Sequence, residues 1–279
     1  MREINVKDIR DKVAELCIKA CIEVPCDIRT CMENALAKEQ GLGWQVLSDM
    51  IKNQDIAKAE KLPICQDTGM AMVFLNVGQD CHIVGGNIED AVNEGVRRGY
   101  EKGYLRKSVV ADPANRVNTK DNTPAIIYYE IVPGDKLHIT VSPKGFGSEN
   151  MSRLTMLVPS DGIERVKDFV VETVVLADSN ACPPIIVGVG VGGSFDKSAM
   201  MAKRALLRPL GKPNPDRYWA EVEKELLQRI NATGIGPSGL GGKTTAMAVH
   251  INTFATHIAG LPVAVNLGCH VNRHEEAIL

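Results

Sequence analysis

Three cysteines lie in surroundings that suit metal ligation. Cys65 lies in PICQDTG, Cys182 in ACPP and Cys269 in NLGCH, each beside a predicted strand and among Pro, Gly and small polar residues. Thiolates bind iron and zinc well. These three are spread along most of the chain, however, and leave no local ligand spacing. Their positions alone therefore make only a weak case for a metal site.

The remaining cysteines fit structural roles better. Four of the eight cysteines, Cys17, Cys21, Cys26 and Cys31, crowd near the N-terminus, and Cys81 stands alone. Cys17 and Cys21 are one helical turn apart, where small buried apolar residues are expected, and no neighbouring His or Cys-x-x-Cys completes a zinc pattern. The charged N-terminus MREINVKDIRDKVAELC does not resemble a signal peptide, which favours thiols over disulfides.

One glycine-rich stretch matches a dinucleotide fingerprint. Gly188, Gly190 and Gly193 satisfy G-x-G-x-x-G after a predicted strand. The segment that follows is the proline-rich RPLGKPNPDR, whereas a Rossmann unit needs a second strand ending in an acid. A close-packed backbone turn is favoured, and an NAD-binding dehydrogenase stays as a remote alternative.

A second glycine-rich stretch, GPSGLGGKTT from Gly236, resembles a phosphate loop. Pro237 occupies the position that needs the first glycine, and the preceding segment is predicted to be a helix rather than a strand. A Walker-type loop is therefore disfavoured. The backbone N–H groups of such a loop can still bind a carboxylate.

The elements around these motifs alternate between helix and strand. Residues 1–60 are predicted to be helical, with Ile9, Val13 and Leu16 at helical spacing and Pro25 ending the first helix. Further helices are predicted for NIEDAVNEGVRRGYEKG, DGIERVKDFVVETVVLADSN, DKSAMMAKRALL and PDRYWAEVEKELLQRI. Strands are predicted for MAMVFLNVG, PPIIVGVGV, the last third of the chain, and the pair AIIYYEIV and KLHITV around the turn at residues 133–135.

These elements predict a mixed α/β fold in which helices flank one or more sheets. No internal repeat or linker is visible, so residues 1–279 are expected to form a single catalytic domain with a helical portion at 1–60. The net charge of −2 argues against a nucleic-acid partner. Apolar runs such as LPVAVNLG are much shorter than the roughly 20 residues needed to span a bilayer. A cytoplasmic protein without a membrane contact is expected.

Several longer segments, in order, resemble one family. They are PICQDTG, YLRKSVVADP, PKGFGSENMSRLTML, ACPPIIVGVGVGGSFDKSAMMAKRALLRPLG, GPSGLGGKTTAMAVH and THIAGLPVAVNLGCHVNRH. Together they resemble the class I, iron-sulphur fumarate hydratase and L(+)-tartrate dehydratase family, in its α subunit or the N-terminal half of its single-chain members. The resemblance implies a [4Fe-4S] cluster on Cys65, Cys182 and Cys269.

The same resemblance assigns roles to other residues. It implies that Gln66 and Asp67 contact the substrate, and that Asp67 and His257 handle the proton of the water that leaves or attacks. A carboxylate and an imidazole suit that transfer near neutral pH. Arg106 is expected to bind a substrate carboxylate through its planar fork, and Gly147 to contact the substrate through its backbone.

The loop around Gly147 departs from the family pattern. Phe146 stands where a third glycine is usual, although Gly145, Ser148 and Glu149 fit a segment that lines the same cavity. Lys144 is a further candidate cation. Because a dianion needs more positive charge than these residues provide, additional cations are expected from elsewhere.

The implied reaction is the reversible hydration of fumarate to (S)-malate, with L(+)-tartrate dehydration as the alternative. Such a hydro-lyase needs a base for the carbon proton and a Lewis acid for the hydroxide. The sequence corresponds to half of a single-chain family member, so a β subunit is expected to supply the base, in an α2β2 assembly. An exposed cluster implies oxygen sensitivity. A non-enzymatic scaffold subunit with buried cysteines is the remaining hypothesis.

Overall fold

The structure is a computed structural model that describes residues 2–279. The chain forms two compact units, each built from separate segments. Unit 1 comprises residues 2–25, Asn53–Phe146 and Arg273–Leu279, and unit 2 comprises Cys26–Lys52 and Gly147–Asn272. This interleaving explains why the sequence shows no linker between them. That the whole chain acts as a single catalytic domain stays a prediction.

Helices and strands alternate along the chain. The helices are α1 (Val6–Ile22), α2 (Cys26–Leu36), α3 (Gly41–Glu60), α4 (Ile88–Lys102), α5 (Phe146–Glu149), α6 (Gly162–Ala177), α7 (Phe195–Ala205) and α8 (Arg217–Asn231). The strands are β1 (Arg2–Asn5), β2 (Met70–Gly78), β3 (Cys81–Val84), β4 (Ile126–Val132), β5 (Leu137–Lys144), β6 (Arg153–Leu157), β7 (Ile185–Gly192), β8 (Ala246–Phe254), β9 (Leu261–Gly268) and β10 (Glu275–Ile278). The predicted mixed α/β class is confirmed. Within residues 2–279, no helix is long and apolar enough to cross a membrane.

Unit 1 contains a four-stranded mixed sheet in the order β10-β5-β2-β4 and a short parallel pair, β1-β3. Helix α1 packs against α4 and β5. The approach of the two helices is close, because a Cβ added at Gly95 of α4 would lie 2.8 Å from the Cβ of Val13. Cys17 and Cys21 of α1 are fully buried in this core, as predicted for structural thiols.

The strand pair predicted around Pro133-Gly134-Asp135 is not a hairpin. β2 lies between β4 and β5, parallel to the first and antiparallel to the second. The connection crosses the end of β2, where the N–H of Gly78 donates to the Lys136 carbonyl at 2.8 Å and that of Asp80 donates to Gly134 at 2.9 Å. The more apolar β2 occupies the buried centre of the sheet, so this part of the prediction was wrong.

Unit 2 contains the sheet β6-β9-β7-β8, in which β7 is parallel to β8 and antiparallel to β9. Its separate core is formed by α6, α8 and the apolar faces of these strands. Gly188 and Gly190 lie inside β7, where an added Cβ would clash with the carbonyl oxygens of Ala202 and Ser198 on α7. The close packing is as predicted, but these two glycines lie within a strand and not in the predicted backbone turn.

Candidate functional site

Cys65, Gln66 and Asp67 lie in the turn that precedes β2 in unit 1. The carboxylate of Asp67 accepts hydrogen bonds from the N–H groups of Gly69 and Phe146, each at 2.9 Å. The N–H of Asp67 lies 3.4 Å from the sulfur of Cys65. Gln66 is exposed, and Cys65 and Asp67 are partly exposed. The turn therefore presents an oriented carboxylate beside an accessible thiol.

Buried side chains anchor the end of this turn. The Tyr100 hydroxyl donates to the carbonyls of Thr68 at 2.7 Å and Gly69 at 3.0 Å, and the Asn122 amide donates to Gly69 at 3.1 Å. Burial raises the pKa of Tyr100, so its hydroxyl stays a donor. Burial also raises the pKa of the neighbouring Cys21 thiol to about 11, which keeps that sulfur protonated.

Arg106 is brought to the same turn by a backbone contact. The hydroxyl of Thr68 donates to the carbonyl of Arg106 at 3.0 Å, while the Arg106 side chain is exposed. Unit 1 therefore brings together three of the predicted substrate-contacting residues, Gln66, Asp67 and Arg106. Their assigned roles stay predictions.

Arg273 is a member of this region that sequence reasoning missed. It is 4% exposed, and its guanidinium donates to the carbonyls of Asp67 and Pro143. A Cβ added at Gly145 would lie 3.2 Å from the Asp67 carboxylate and 3.8 Å from the Arg273 guanidinium. The candidate Lys144 is buried and donates to the Gly145 carbonyl at 3.1 Å. No local pattern identifies Arg273, because its partner lies 206 positions earlier.

Unit 2 brings Cys182 and Cys269 to one end of its sheet. Cys182 precedes β7 and Cys269 follows β9, and these antiparallel strands pair Ile186 with Gly268. The Cys182 carbonyl accepts hydrogen bonds from the main-chain N–H of His270 at 3.3 Å and from its Nδ1 at 3.2 Å. The two cysteines therefore lie on adjoining segments.

The chemistry of these thiols fits a soft metal group. Cys182 is exposed, Cys65 and Cys269 are partly exposed, and none of the three forms a disulfide. Between residues 2 and 279, no three His, Cys, Asp or Glu side chains are arranged around a single ion. Ligands of a multi-iron cluster bind different irons and stand farther apart than ligands of one ion. The complete three-cysteine set stays a prediction.

His257 lies at the opposite end of the same sheet. It belongs to the connection between β8 and β9, which is fixed where the Thr256 hydroxyl donates to the Gly193 carbonyl at 2.9 Å. Gly193 directly follows β7, an eight-residue strand, so about 25 Å of strand separates this end from Cys182. Unit 2 therefore does not bring His257 close to Cys182 and Cys269, the two candidate cluster ligands that this unit carries.

The imidazole of His257 is exposed and has a defined orientation. Its Nδ1 accepts a hydrogen bond from the Ala259 N–H at 3.2 Å. In the neutral ring, this bond leaves the proton on Nε2, which can donate to a partner outside the loop. The predicted role of His257 in proton transfer stays a prediction.

Gly147 lies close to the Cys182 segment. A Cβ added to it would come within 3.5 Å of the Asn180 carbonyl. Residues 146–149 form one helical turn, α5, instead of the predicted loop. Phe146 is accommodated in this helical turn because its side chain is exposed. Its N–H donates to the Asp67 carboxylate. Glu149 binds Lys203 and Asn266, which indicates a structural contribution.

Similarity to known proteins agrees with these features. The profile of the fumarate hydratase (Fumerase) family matches residues 10–278. A Methanocaldococcus jannaschii protein with the provisional name L(+)-tartrate dehydratase subunit alpha is 42% identical over 274 residues, which is 95% of each chain. The L(+)-tartrate dehydratase subunit alpha of Escherichia coli strain UTI89 is 36% identical over 241 residues, covering 85% of this chain and 79% of that one.

The protein is thus an enzyme of the hydro-lyase class. The chain belongs to the fumarate hydratase (Fumerase) family. The family resemblance identified from six longer segments in order, PICQDTG to THIAGLPVAVNLGCHVNRH, is confirmed, and so is the hydro-lyase class that it implied.

Proposed function

We propose that this chain is the α subunit of a two-subunit fumarate hydratase that interconverts fumarate and (S)-malate in the cytoplasm, with residues 1–279 as one catalytic domain. The observation that carries the proposal is the convergence of Cys182 and Cys269 at one end of the unit 2 sheet, in a chain of this family. Two accessible thiols on adjoining segments suit a shared metal group.

Cys65, Cys182 and Cys269 would hold a [4Fe-4S] cluster. When bound, the cluster supplies a Lewis acid that assists departure of a poor hydroxide leaving group. The accessibility of all three thiols supports this assignment, because ligation needs thiolates that can reach the irons.

The other residues bind the substrate and transfer protons. The exposed Arg106 guanidinium binds one carboxylate of the dicarboxylate through two parallel hydrogen bonds, and Gln66 and Gly147 contact the remaining polar groups. Asp67 and His257 take or return the proton of water. The Asp67 carboxylate is already oriented by two backbone N–H groups, which limits the reorganisation needed during the reaction.

The location of His257 supports a site shared between two copies of the chain. Because about 25 Å of strand separates it from Cys182, His257 cannot act at the cluster bound by Cys182 and Cys269 of its own chain. A second α chain can present its exposed His257 loop to that cluster. This arrangement agrees with the two α chains of the α2β2 assembly that we propose.

A β subunit completes the enzyme. The relatives from Methanocaldococcus jannaschii and Escherichia coli are both named as alpha subunits, which supports a separate partner for this chain. That partner supplies the base for the carbon proton and further cations for the substrate. Full turnover by the isolated α chain with its cluster intact would contradict this part of the proposal.

L(+)-tartrate is the alternative substrate, because the same relatives are named as subunits of its dehydratase, whereas the family model is that of fumarate hydratase. Tartrate differs from malate by a second hydroxyl. The residues that recognise or reject this group are expected on the β subunit, so the substrate is decided by assay of the complete enzyme. Preferential turnover of L(+)-tartrate would replace fumarate hydration with tartrate dehydration in the proposal.

The first experiment is anaerobic cluster reconstitution of the α chain with its β subunit, followed by fumarate and L(+)-tartrate assays. Brown protein that loses iron or activity in Cys65→Ser, Cys182→Ser and Cys269→Ser supports the proposal. Cys26→Ser is the matched control, because it removes an exposed cysteine outside the candidate site. Colourless protein that binds NAD would overturn the proposal and favour the NAD-binding dehydrogenase alternative. Unchanged activity after prolonged aeration would also contradict an exposed cluster.

A second experiment tests the shared site by mixing two inactive variants. If His257 acts on the other copy, an assembly of one Cys182→Ser chain and one His257→Asn chain contains one intact site and regains activity. If His257 acts within its own chain, both sites stay incomplete and no activity returns. Purification in succession through two different affinity tags, one on each variant, confirms that mixed oligomers have formed.

A further inference from the structure

Glu39 lies between α2 and α3, outside every motif discussed above, and is only 6% exposed. Its carboxylate accepts hydrogen bonds from the N–H of Lys243, at 2.8 and 3.0 Å, and from the N–H of Thr244 at 2.6 Å. Both N–H groups belong to residues 235–245, here called the glycine loop. This is the segment that resembles a phosphate loop, and its amides bind a carboxylate of the protein itself.

The contact between Glu39 and the glycine loop is close. A Cβ added at Gly242 would lie 2.8 Å from the Glu39 carboxylate, and one added at Gly43 would lie 3.1 Å from it. A buried carboxylate is costly unless it is hydrogen-bonded, and convergent backbone amides supply that compensation. Glu39 therefore fixes the position of the glycine loop through charge-assisted bonds.

The glycine loop in turn contacts the segment that carries Cys182, on both sides of the cysteine. The N–H of Ser238 donates to the Pro183 carbonyl at 2.9 Å. A Cβ added at Gly239 would lie 2.5 Å from the Cβ of Ser179, and Ser179 accepts the N–H of Cys182 at 2.9 Å. Cys182 has a φ of 55°, a left-handed conformation that a non-glycine residue adopts only when its surroundings impose it.

We propose that Glu39 is a positioning residue for Cys182, acting through the glycine loop. Its carboxylate fixes the amides of Lys243 and Thr244. This keeps Ser238 and Gly239 against the Cys182 segment and maintains the left-handed backbone that directs the thiol outward. The consequence for cluster binding rests on the proposed function, whereas the effect on the backbone does not.

The decisive experiment measures amide hydrogen exchange in the cluster-free protein with Glu39→Gln. The glutamine has nearly the same shape, but it turns one acceptor into an NH2 group that opposes a backbone N–H. Exchange at Ser238 and Cys182 is expected to accelerate about tenfold, which corresponds to the loss of one charge-assisted hydrogen bond. Exchange at β7 amides such as Val189 is expected to stay unchanged.

Glu223→Gln is the matched control. Glu223 is a buried carboxylate of the same unit, 7% exposed, that accepts the N–H of Ile251 on β8 at 2.7 Å. This variant should leave exchange at Ser238 and Cys182 unchanged. If Glu39→Gln does not fold, Glu39→Asp keeps the charge on a shorter side chain and should accelerate the same two amides to a smaller degree.

Two results would overturn the proposal. Wild-type exchange at Ser238 and Cys182, with acceleration only at Lys243 and Thr244, would show that the loop does not transmit the change. Equal acceleration throughout unit 2, including β7, would show a general structural role instead of positioning.

Reconstitution with iron and sulfide adds a second measurement. Glu39→Gln is expected to bind iron about tenfold more weakly than the wild type, and Glu223→Gln to bind it normally. Equal iron binding by Glu39→Gln and wild type would overturn the role in ligation. If the wild-type protein itself takes up no iron, the proposed function fails, and the exchange result still decides whether Glu39 positions Cys182.

Discussion

The turn that carries Cys65 and Asp67 and the segment that carries Cys182 are stabilised in different ways. Buried side chains of Tyr100, Asn122 and Arg273 donate to the backbone carbonyls of the first. The second is supported mainly by backbone groups, including the N–H of Ser238. The first turn therefore depends on the identity of particular side chains, whereas the second depends on backbone geometry that glycines make possible.

The two candidate proton-transfer residues, Asp67 and His257, also differ in how firmly their side chains are held. Asp67 has its carboxylate fixed by two backbone N–H groups of unit 1. His257 lies on an exposed connection, and its ring contacts only a neighbour in its own loop among the bonds described above. Substitution of Asp67 should therefore affect both the fold and the reaction, whereas substitution of His257 should affect the reaction alone.

The largest expected effect tests this difference. Asp67→Asn and His257→Asn should each lower kcat by about 10²- to 10⁴-fold, because each removes a proton-transfer group. Asp67→Asn should also lower the free energy of unfolding by about 1 kcal/mol through weakened hydrogen bonds. Steady-state kinetics and denaturant titration of both variants provide the measurements. Equal destabilisation by the two substitutions would contradict the difference in anchoring between Asp67 and His257.

The next effect concerns a buried titratable group in unit 2. His250 is 3% exposed, and its Nδ1 donates to the Ala205 carbonyl at 3.1 Å. Burial, with a smaller contribution from the Arg208 cation, lowers its pKa from 6.5 to about 4. The unfolded chain therefore binds a proton first as the pH falls, and the lost stability should reach about 3 kcal/mol between pH 6.5 and 4.

Denaturant titration across that pH range checks this effect. His250→Asn has no titrating imidazole, so the difference in unfolding free energy between it and the wild type should shrink as the pH falls. Parallel pH profiles for the two proteins would contradict the expected origin of the acid sensitivity.

Arg273→Lys tests how strongly the unit 1 turn depends on one side chain. A single ammonium cannot reproduce the guanidinium bonds to both Asp67 and Pro143. The free energy of unfolding should fall by about 2 kcal/mol because a buried carbonyl loses its charged donor. Arg165→Lys is the control, since Arg165 forms an exposed pair with Glu172 and should leave stability unchanged.

The smallest expected effect is that of Tyr100→Phe. It removes the hydroxyl that donates to Thr68 and Gly69 and should cost about 1 kcal/mol in thermal or denaturant unfolding. Tyr218→Phe alters a 55%-exposed tyrosine and should have no measurable effect. A loss at Tyr218 as large as that at Tyr100 would show that the hydroxyl of Tyr100 has no special role in the turn.

Much of the fold follows from local sequence patterns. The periodicity of α4 and the apolar runs of β2 and β7 predict those elements, because their burial is set by spacing within one segment. The four-residue strands β1, β3 and β10 are too short to give such a signal. The false hairpin between β4 and β5 arose because a turn sequence does not reveal that a third strand lies between its flanks.

The residues of the candidate site likewise divide into those that the sequence indicates and those that it does not. Cys65, Cys182 and Cys269 stand out through their surroundings, and the family motifs indicate Gln66 and Arg106. The anchoring residues give no such signal: Arg273 acts 206 positions from Asp67, and Glu39 acts 204 positions from Lys243. Each side chain bonds to a backbone group. Because nearly every residue type has the same backbone groups, such a partner leaves no pattern in the sequence. Only the folded chain shows the pairing.

The placement of Arg273 has a consequence for protein synthesis. The Asp67 turn leaves the ribosome 206 residues before the arginine that binds it. At about 5 to 20 residues per second, Arg273 is synthesised roughly 10 to 40 s after this turn. During that interval unit 2 is completed, whereas unit 1 still lacks β10. The nascent chain therefore finishes its two units in sequence, and the Asp67 turn receives its Arg273 hydrogen bond only after unit 2 has been synthesised.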